Sequence, residues 1–209
     1  MGFFEYISNH WYAGAALLLL VILTVFVWIK AMASGRKRNL EREKIVADLE
    51  KEKALRKEFK TVDELTFVEG KDDYRLITGM CANVQQRLEN KEDMNTAFLN
   101  LSQPEKYAYV LGYFYEDSKN GLSEFFRANG EPLVGVAVQA VEELIGGEFA
   151  QLVAKEYVML DENDETTSVD SKALEEMDNA FKEIIENKSD EIYRKTASYI
   201  RDNKHCFIH

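Results

Sequence analysis

The sequence predicts an all-α protein: a single N-terminal transmembrane helix, a charged helical neck and then a compact multi-helix domain. Three observations lead there. An uncharged apolar run spans Trp11 to Ile29, and a breaker-free, charge-rich stretch follows over residues 36–60. From Val62 onward the periodic segments repeat their apolar residues at three- and four-residue spacing, and none alternates with period two for long enough to form a strand.

The apolar run, WYAGAALLLLVILTVFVWI, is 19 residues without a charge, a proline or an amide. As a helix it would reach ~28 Å, close to the hydrocarbon thickness of a bilayer. A soluble helix would show a polar stripe, and this run offers only Thr24. The ten residues before it contain Glu5 and no Lys or Arg, whereas positions 30–38 hold Lys30, Arg36, Lys37 and Arg38. That bias places residues 1–10 outside and the remainder in the cytoplasm, as a single-pass protein of the bacterial inner membrane. Trp11 and Tyr12 would mark the outer interface, and Trp28 with Lys30 the inner one. An A-x-A pattern at Ala31-Met32-Ala33 leaves a cleaved signal as the alternative, against which the long apolar run and the absence of a basic leader weigh.

Charge divides the rest of the chain. Residues 30–60 carry 11 Lys/Arg against 6 Asp/Glu, net +5, while residues 61–209 carry 15 against 30, net −15. A basic neck near the membrane suits anionic lipid headgroups, and it serves equally as a topology signal on a solvated helix. The acidic domain beyond it disfavours direct nucleic-acid binding. Such a surface attracts and steers a basic partner. Two cysteines, Cys81 and Cys206, form no disulfide framework, and Cys81 falls on an apolar helix face as a small core residue.

The elements follow in order. The neck, residues 30–60, has good helix formers and Glu–Arg pairs at helical spacing, such as Glu52 with Arg56. Leu40, Ile45, Leu49, Leu55 and Phe59 are too sparse for a clean heptad, but a short coiled coil pairing two copies is compatible with them. In the domain, 61–209, Tyr74, Ile77, Cys81, Val84 and Leu88 share one helix face. Ser102-Gln103-Pro104-Glu105 carries a cap serine, a first-turn proline and a capping-box glutamate. The helix it opens presents Tyr107, Val110, Leu111 and Phe114. A turn at Lys119-Asn120-Gly121 leads to a short helix with Leu122, Phe125 and Phe126, ending near Asn129-Gly130. Pro132 can open the next helix, and Gly146-Gly147 ends it. A further helix runs from about Glu148 to Leu160. After the acidic loop Asp161–Asp170, two helices are expected, one with Leu174, Met177, Phe181 and Ile184, the second capped by Ser189.

Catalytic and ligand-binding patterns are sparse. His10, His205 and His209 lie outside the helical core, so no Ser-His-Asp or Cys-His arrangement suggests itself. His205, Cys206 and His209 lack the fourth ligand a structural zinc site needs, and this tail reads as an unstructured end. The loop from Asp161 has Thr166 and Lys172 where a calcium loop needs glycine and glutamate. No glycine-rich phosphate loop is present. These patterns point to no enzyme, no cofactor and no metal. Paired carboxylates such as Glu116-Asp117 and Asp190-Glu191 read as solvated faces and caps.

Leu101-Ser102, Gly121, Phe125-Phe126 and Ile145-Gly146 give the segment Leu101 to Gly146 a resemblance to the bacterial DNA-mimic protein family of the DMP type. Leu174 to Phe181, and Tyr199-Ile200 with Phe207, extend it over roughly residues 65–209. The departures are Ser118, Lys119 and Asn120 in the turn, Leu122 in place of Phe and Glu124 in place of Gln. The resemblance implies an all-helical domain, largely of unknown function in that family, and a protein partner that otherwise binds DNA. The candidate interaction motif is then Asn120, Gly121, Glu124, Phe125 and Phe126 with the preceding Glu116 and Asp117. The expectation is a membrane-anchored, non-enzymatic interaction module for a basic protein. The alternative is an immunity protein that holds a toxin at the inner membrane. An enzymatic reading would have to rest on Asn120, Glu124 and Arg127 near the glycine turn.

Overall fold

A computed structural model describes residues 42–43, 45–68, 70, 72–160 and 171–208. The expected transmembrane run 11–29, with its flanks Trp11, Tyr12, Trp28, Lys30, Arg36, Lys37 and Arg38, lies outside the described residues, as does the loop 161–170. Among the described residues no helix is long and apolar enough to cross a membrane. The chain divides into two units, Met1–Lys53 and Ala54–His209.

The described residues form eight α-helices and two short 3-10 turns, with no strand. Residues 45–58 are helical (α1), followed by a 3-10 turn at Glu64–Phe67. Then come α2 (Asp73–Glu89), α3 (Met94–Leu99), α4 (Gln103–Asp117), α5 (Leu122–Ala128), α6 (Leu133–Leu144), α7 (Gly147–Met159) and α8 (Ser171–Asp202). A last 3-10 turn, Lys204–Cys206, closes the domain.

Start signals act where the sequence places them. Glu105 accepts from the Ser102 backbone N–H at 2.9 Å and from Ser102 Oγ at 2.6 Å, which is the capping box of α4. Gly146 and Gly147 take φ of +67° and +64°, the left-handed turn between α6 and α7. Asp93 caps α3 by accepting from the Thr96 N–H at 3.1 Å.

The core is built on α4. It packs most extensively against α2 and also meets α5, α6 and α8. The approach of α2 to α4 is close because Gly112 faces Cys81, leaving no room for another Cβ there. Cys81 is buried and its Sγ donates to the Tyr109 carbonyl at 3.3 Å. Burial pushes its thiol up to about 12, so it is inert packing, as expected. Deeper in, Phe114 is fully buried, with ring centroids 5.1 Å from Phe125, 6.1 Å from Phe149 and 6.0 Å from Phe181. Four helices, α4, α5, α7 and α8, thus meet on one aromatic side chain.

Two expectations need correction. The pair of C-terminal helices is one 32-residue helix, α8, and Ser189 caps nothing. No Gly or Pro interrupts Glu186–Asp190, and the buried stripe Met177, Phe181, Ile192, Thr196, Ile200 needs only a half-buried Ile184–Ile185 to continue across. The tail is not unstructured: Phe207 is 2 % exposed and lies 6.2 Å from Phe67. The second compact unit begins at Ala54, within the residues 30–60 read as the neck. Phe59 is buried beneath Gly79, its carbonyl accepts from Asn83 Nδ2 at 2.8 Å, and Arg56 forks onto Glu89 at 2.9 and 2.8 Å.

Candidate functional site

The glycine turn between α4 and α5 gathers the residues that the sequence singles out. Gly121 sits at φ +153°, ψ +152°, a region that side chains with a Cβ rarely enter. A Cβ built there would lie 2.6 Å from the Asp178 carboxylate. The closeness has a use: Asp178, reaching from α8, accepts from the Ser123 N–H at 2.9 Å and from Ser123 Oγ at 2.7 Å. The short helix α5 is therefore held at its start by a side chain 55 residues away. Gly121→Ala would force strain at the turn and displace this contact, costing about 2 kcal/mol. A drop of that order in the urea-unfolding free energy checks it.

The remaining motif residues divide by exposure. Phe125 and Phe126 are buried, Phe126 stacking on Tyr157 at 5.9 Å, so both serve the core. Asp117 accepts from Asn129 Nδ2 at 2.8 Å and ties the end of α4 to the residue that closes α5. Asn120 donates to Glu124 Oε2 at 3.1 Å, both at the surface. Arg127 is exposed. Glu116 is the exception, because it draws together three elements. One of its oxygens accepts from the Tyr74 hydroxyl of α2 and the other from the Lys119 ammonium. Tyr74 lies 5.0 Å from Tyr193 of α8, and Tyr193 lies 5.0 Å from Tyr115 of α4. Burial and then the Glu116 hydrogen bond push the Tyr74 phenol up, and burial followed by Glu116 and Asp190 does the same to Tyr193.

Beside this seam runs an acidic face. At 100° per residue, Glu175, Glu183, Glu186 and Asp190 of α8 fall within about 80° of one another over about 22 Å. All four are exposed, with Lys182 the cation among them. Ion pairs on α8 use other carboxylates, Glu176 with Lys172 at 3.8 Å and Glu191 with Lys195 at 3.1 Å. None of the four takes part in an ion pair among the described residues. Tyr193 lies on the same face, so the stripe runs into the tyrosine seam.

Below the glycine turn lies a group with a different character. Glu156 of α7 is fully buried, and among the described residues neither of its oxygens has a hydrogen-bond partner. Burial, and then the nearby Asp178, push its carboxyl up to about 8, against a weaker opposing pull from Arg127. It is protonated at neutral pH.

Conventional binding features are slight in the described residues. A cleft of about 140 Å³ beside the first 3-10 turn is lined by Glu58, Asp63 and Asp72 around Arg75, well below the size of a usual small-molecule site. No group of three His, Cys, Asp or Glu is placed to hold a metal ion among the described residues. Sequence reading missed Tyr74, Tyr193, Asp178 and Glu156, because their significance comes from helix pairing, which no local pattern reports. Comparison with protein-family models, curated proteins and solved structures found no match.

Proposed function

We propose that the protein is a membrane-anchored, non-enzymatic interaction module whose acidic helical domain, on the cytoplasmic side of a bacterial inner membrane, binds a basic protein. The observation that carries this reading is the exposed row Glu175, Glu183, Glu186 and Asp190 on α8, whose carboxylates are not neutralised by ion pairs among the described residues. A rigid helix fixes their spacing, so their field adds over the row and steers a cationic surface toward it. The net −15 of residues 61–209 works in the same direction. The resemblance of Leu101 to Gly146 to DNA-mimic domains points to a partner that normally binds DNA. The uncharged run 11–29 and its basic flank support the anchor. Ile45 and Leu49, exposed and four residues apart on α1, would form the seam if two copies pair.

The test is affinity capture with the full-length chain in mild detergent, at low and high salt. Wild type is expected to retain a basic protein that elutes as salt rises. The quadruple change Glu175→Lys, Glu183→Lys, Glu186→Lys, Asp190→Lys is expected to weaken that retention at least tenfold, since several like-charge contacts replace attractive ones. Equal retention by both forms, or none by wild type, would sink the reading.

A further inference from the structure

We propose that Tyr74, Tyr193 and Glu116 form a docking point for an arginine side chain of a basic protein segment, and that Lys119 of the chain's own turn occupies that point when no partner is bound. The inference rests on the reading of the domain as a binder of basic proteins and names where on it a cation is held.

The geometry supports it in three steps. Tyr74 and Tyr193 are half-buried with ring centroids 5.0 Å apart, and Tyr193 meets the buried Tyr115 edge-on, so the pair keeps an accessible edge. Tyr115 is itself fixed by a 2.9 Å hydrogen bond between its hydroxyl and Thr196 Oγ1. Glu116 supplies the negative charge at that edge, and the Tyr74 hydroxyl engages one of its oxygens, so the carboxylate is oriented rather than free to rotate. Asp72 adds its field at the Tyr74 phenol and Asp190 at the Tyr193 phenol. A carboxylate set against aromatic faces is the arrangement that holds a cation by charge and by the ring quadrupole together.

The third step is that a cation already sits there. The Lys119 ammonium lies 5.8 Å from the Tyr74 ring centroid and bonds the second oxygen of Glu116. Lys119 belongs to the turn before Gly121 and its side chain is 56 % exposed, so it can swing away at little cost. An incoming guanidinium would make a stronger set of contacts. Its planar fork can lie flat on the tyrosine face while donating to Glu116 from several N–H groups, where the ammonium brings only a compact point charge to the same ring and carboxylate. The position of Tyr193 on the face of the Glu175–Asp190 row makes the seam the end of a track along which a basic segment can lie.

The probe is a fluorescein-labelled tetra-arginine peptide, titrated by anisotropy against the full-length chain in non-ionic detergent. Removing the occupant should improve binding: Lys119→Ala is expected to tighten the dissociation constant about fivefold. Lys155→Ala, an equal change of charge at an exposed position of α7, controls for net charge and is expected to move it less than twofold. Glu116→Gln and Tyr193→Leu are expected to weaken binding at least fivefold, with circular dichroism confirming that each remains helical. Tightening by Lys119→Ala beyond the Lys155→Ala control supports the docking point. Equal effects of the two overturn it while leaving the acidic-surface reading intact. Peptide that binds no form of the chain overturns both.

Discussion

Replacing Glu156 by glutamine is expected to make the protein more stable at pH 8, by on the order of 3 kcal/mol, and to remove most of the pH dependence of its unfolding above pH 5. The sign follows from the carboxyl's folded value of about 8, raised by burial and by Asp178. In the unfolded chain the group titrates near the ordinary glutamate value. Between the two values the folded state holds a proton that the unfolded state has lost. Stability is therefore full below about pH 4.5 and falls as pH rises toward 8, beyond which the loss is complete. Glutamine keeps the shape and never ionises, so the penalty disappears. Glu156→Leu should flatten the profile equally and rules out a contribution from the amide. Urea unfolding from pH 5 to pH 9 reads the result, and a wild-type profile parallel to that of Glu156→Gln would refute the assignment. Glu105 acts in the opposite direction. Burial pushes its carboxyl up, but the Ser102 hydrogen bonds and Arg87 outweigh that and hold it below the usual carboxylate range. Its contribution is present above the ordinary glutamate value and is lost as pH falls through the folded one. The two groups together place the stability maximum near pH 5.

Phe114→Ala is expected to cost about 3–5 kcal/mol, a large share of the ~5–15 kcal/mol that holds an ordinary domain folded. Phe114 is fully buried and its ring meets Phe125, Phe149 and Phe181, each from a different helix. Truncation leaves a void that no single neighbour can fill, because each of those rings is fixed by its own helix. Thermal unfolding followed by circular dichroism should show a large fall in midpoint. Leu65→Ala, at a side chain 70 % exposed, should shift stability by no more than about 0.5 kcal/mol. Similar losses from the two substitutions would contradict the view of Phe114 as the meeting point of the four helices.

The all-α class was legible because the signals are local. Ser102 and Glu105 announce α4, Gly146-Gly147 announces the turn into α7, and the 3-4 spacing of Ile77, Cys81, Val84 and Leu88 marks the buried face of α2. The same locality explains the errors. Ser189 looks like a cap because serine in a polar pentad favours a helix start, yet nothing there breaks the backbone, and packing against α2 and α7 carries the helix through. Phe207 follows a polar stretch and reads as tail, until Phe67, 140 residues earlier in the chain, gives it a partner. The candidate site was legible only in its turn. Gly121 and the two phenylalanines stand out in the sequence, but Asp178, Tyr74 and Tyr193 join them only through the tertiary fold.

The single long helix α8 also sets the order in which the molecule can be made. Its side chains close the core from the far end of the sequence: Asp178 reaches Ser123, Thr196 reaches Tyr115, and Arg201 bonds Asp73 at 2.7 Å across 128 residues. While residues 171–202 are still inside the ribosome, Phe114 and Tyr115 have no cover on that side. Folding must wait for the completed helix, and contacts so distant in sequence make closure slow. A core closed so late stays open for most of translation, which is when this architecture exposes its aromatic side chains.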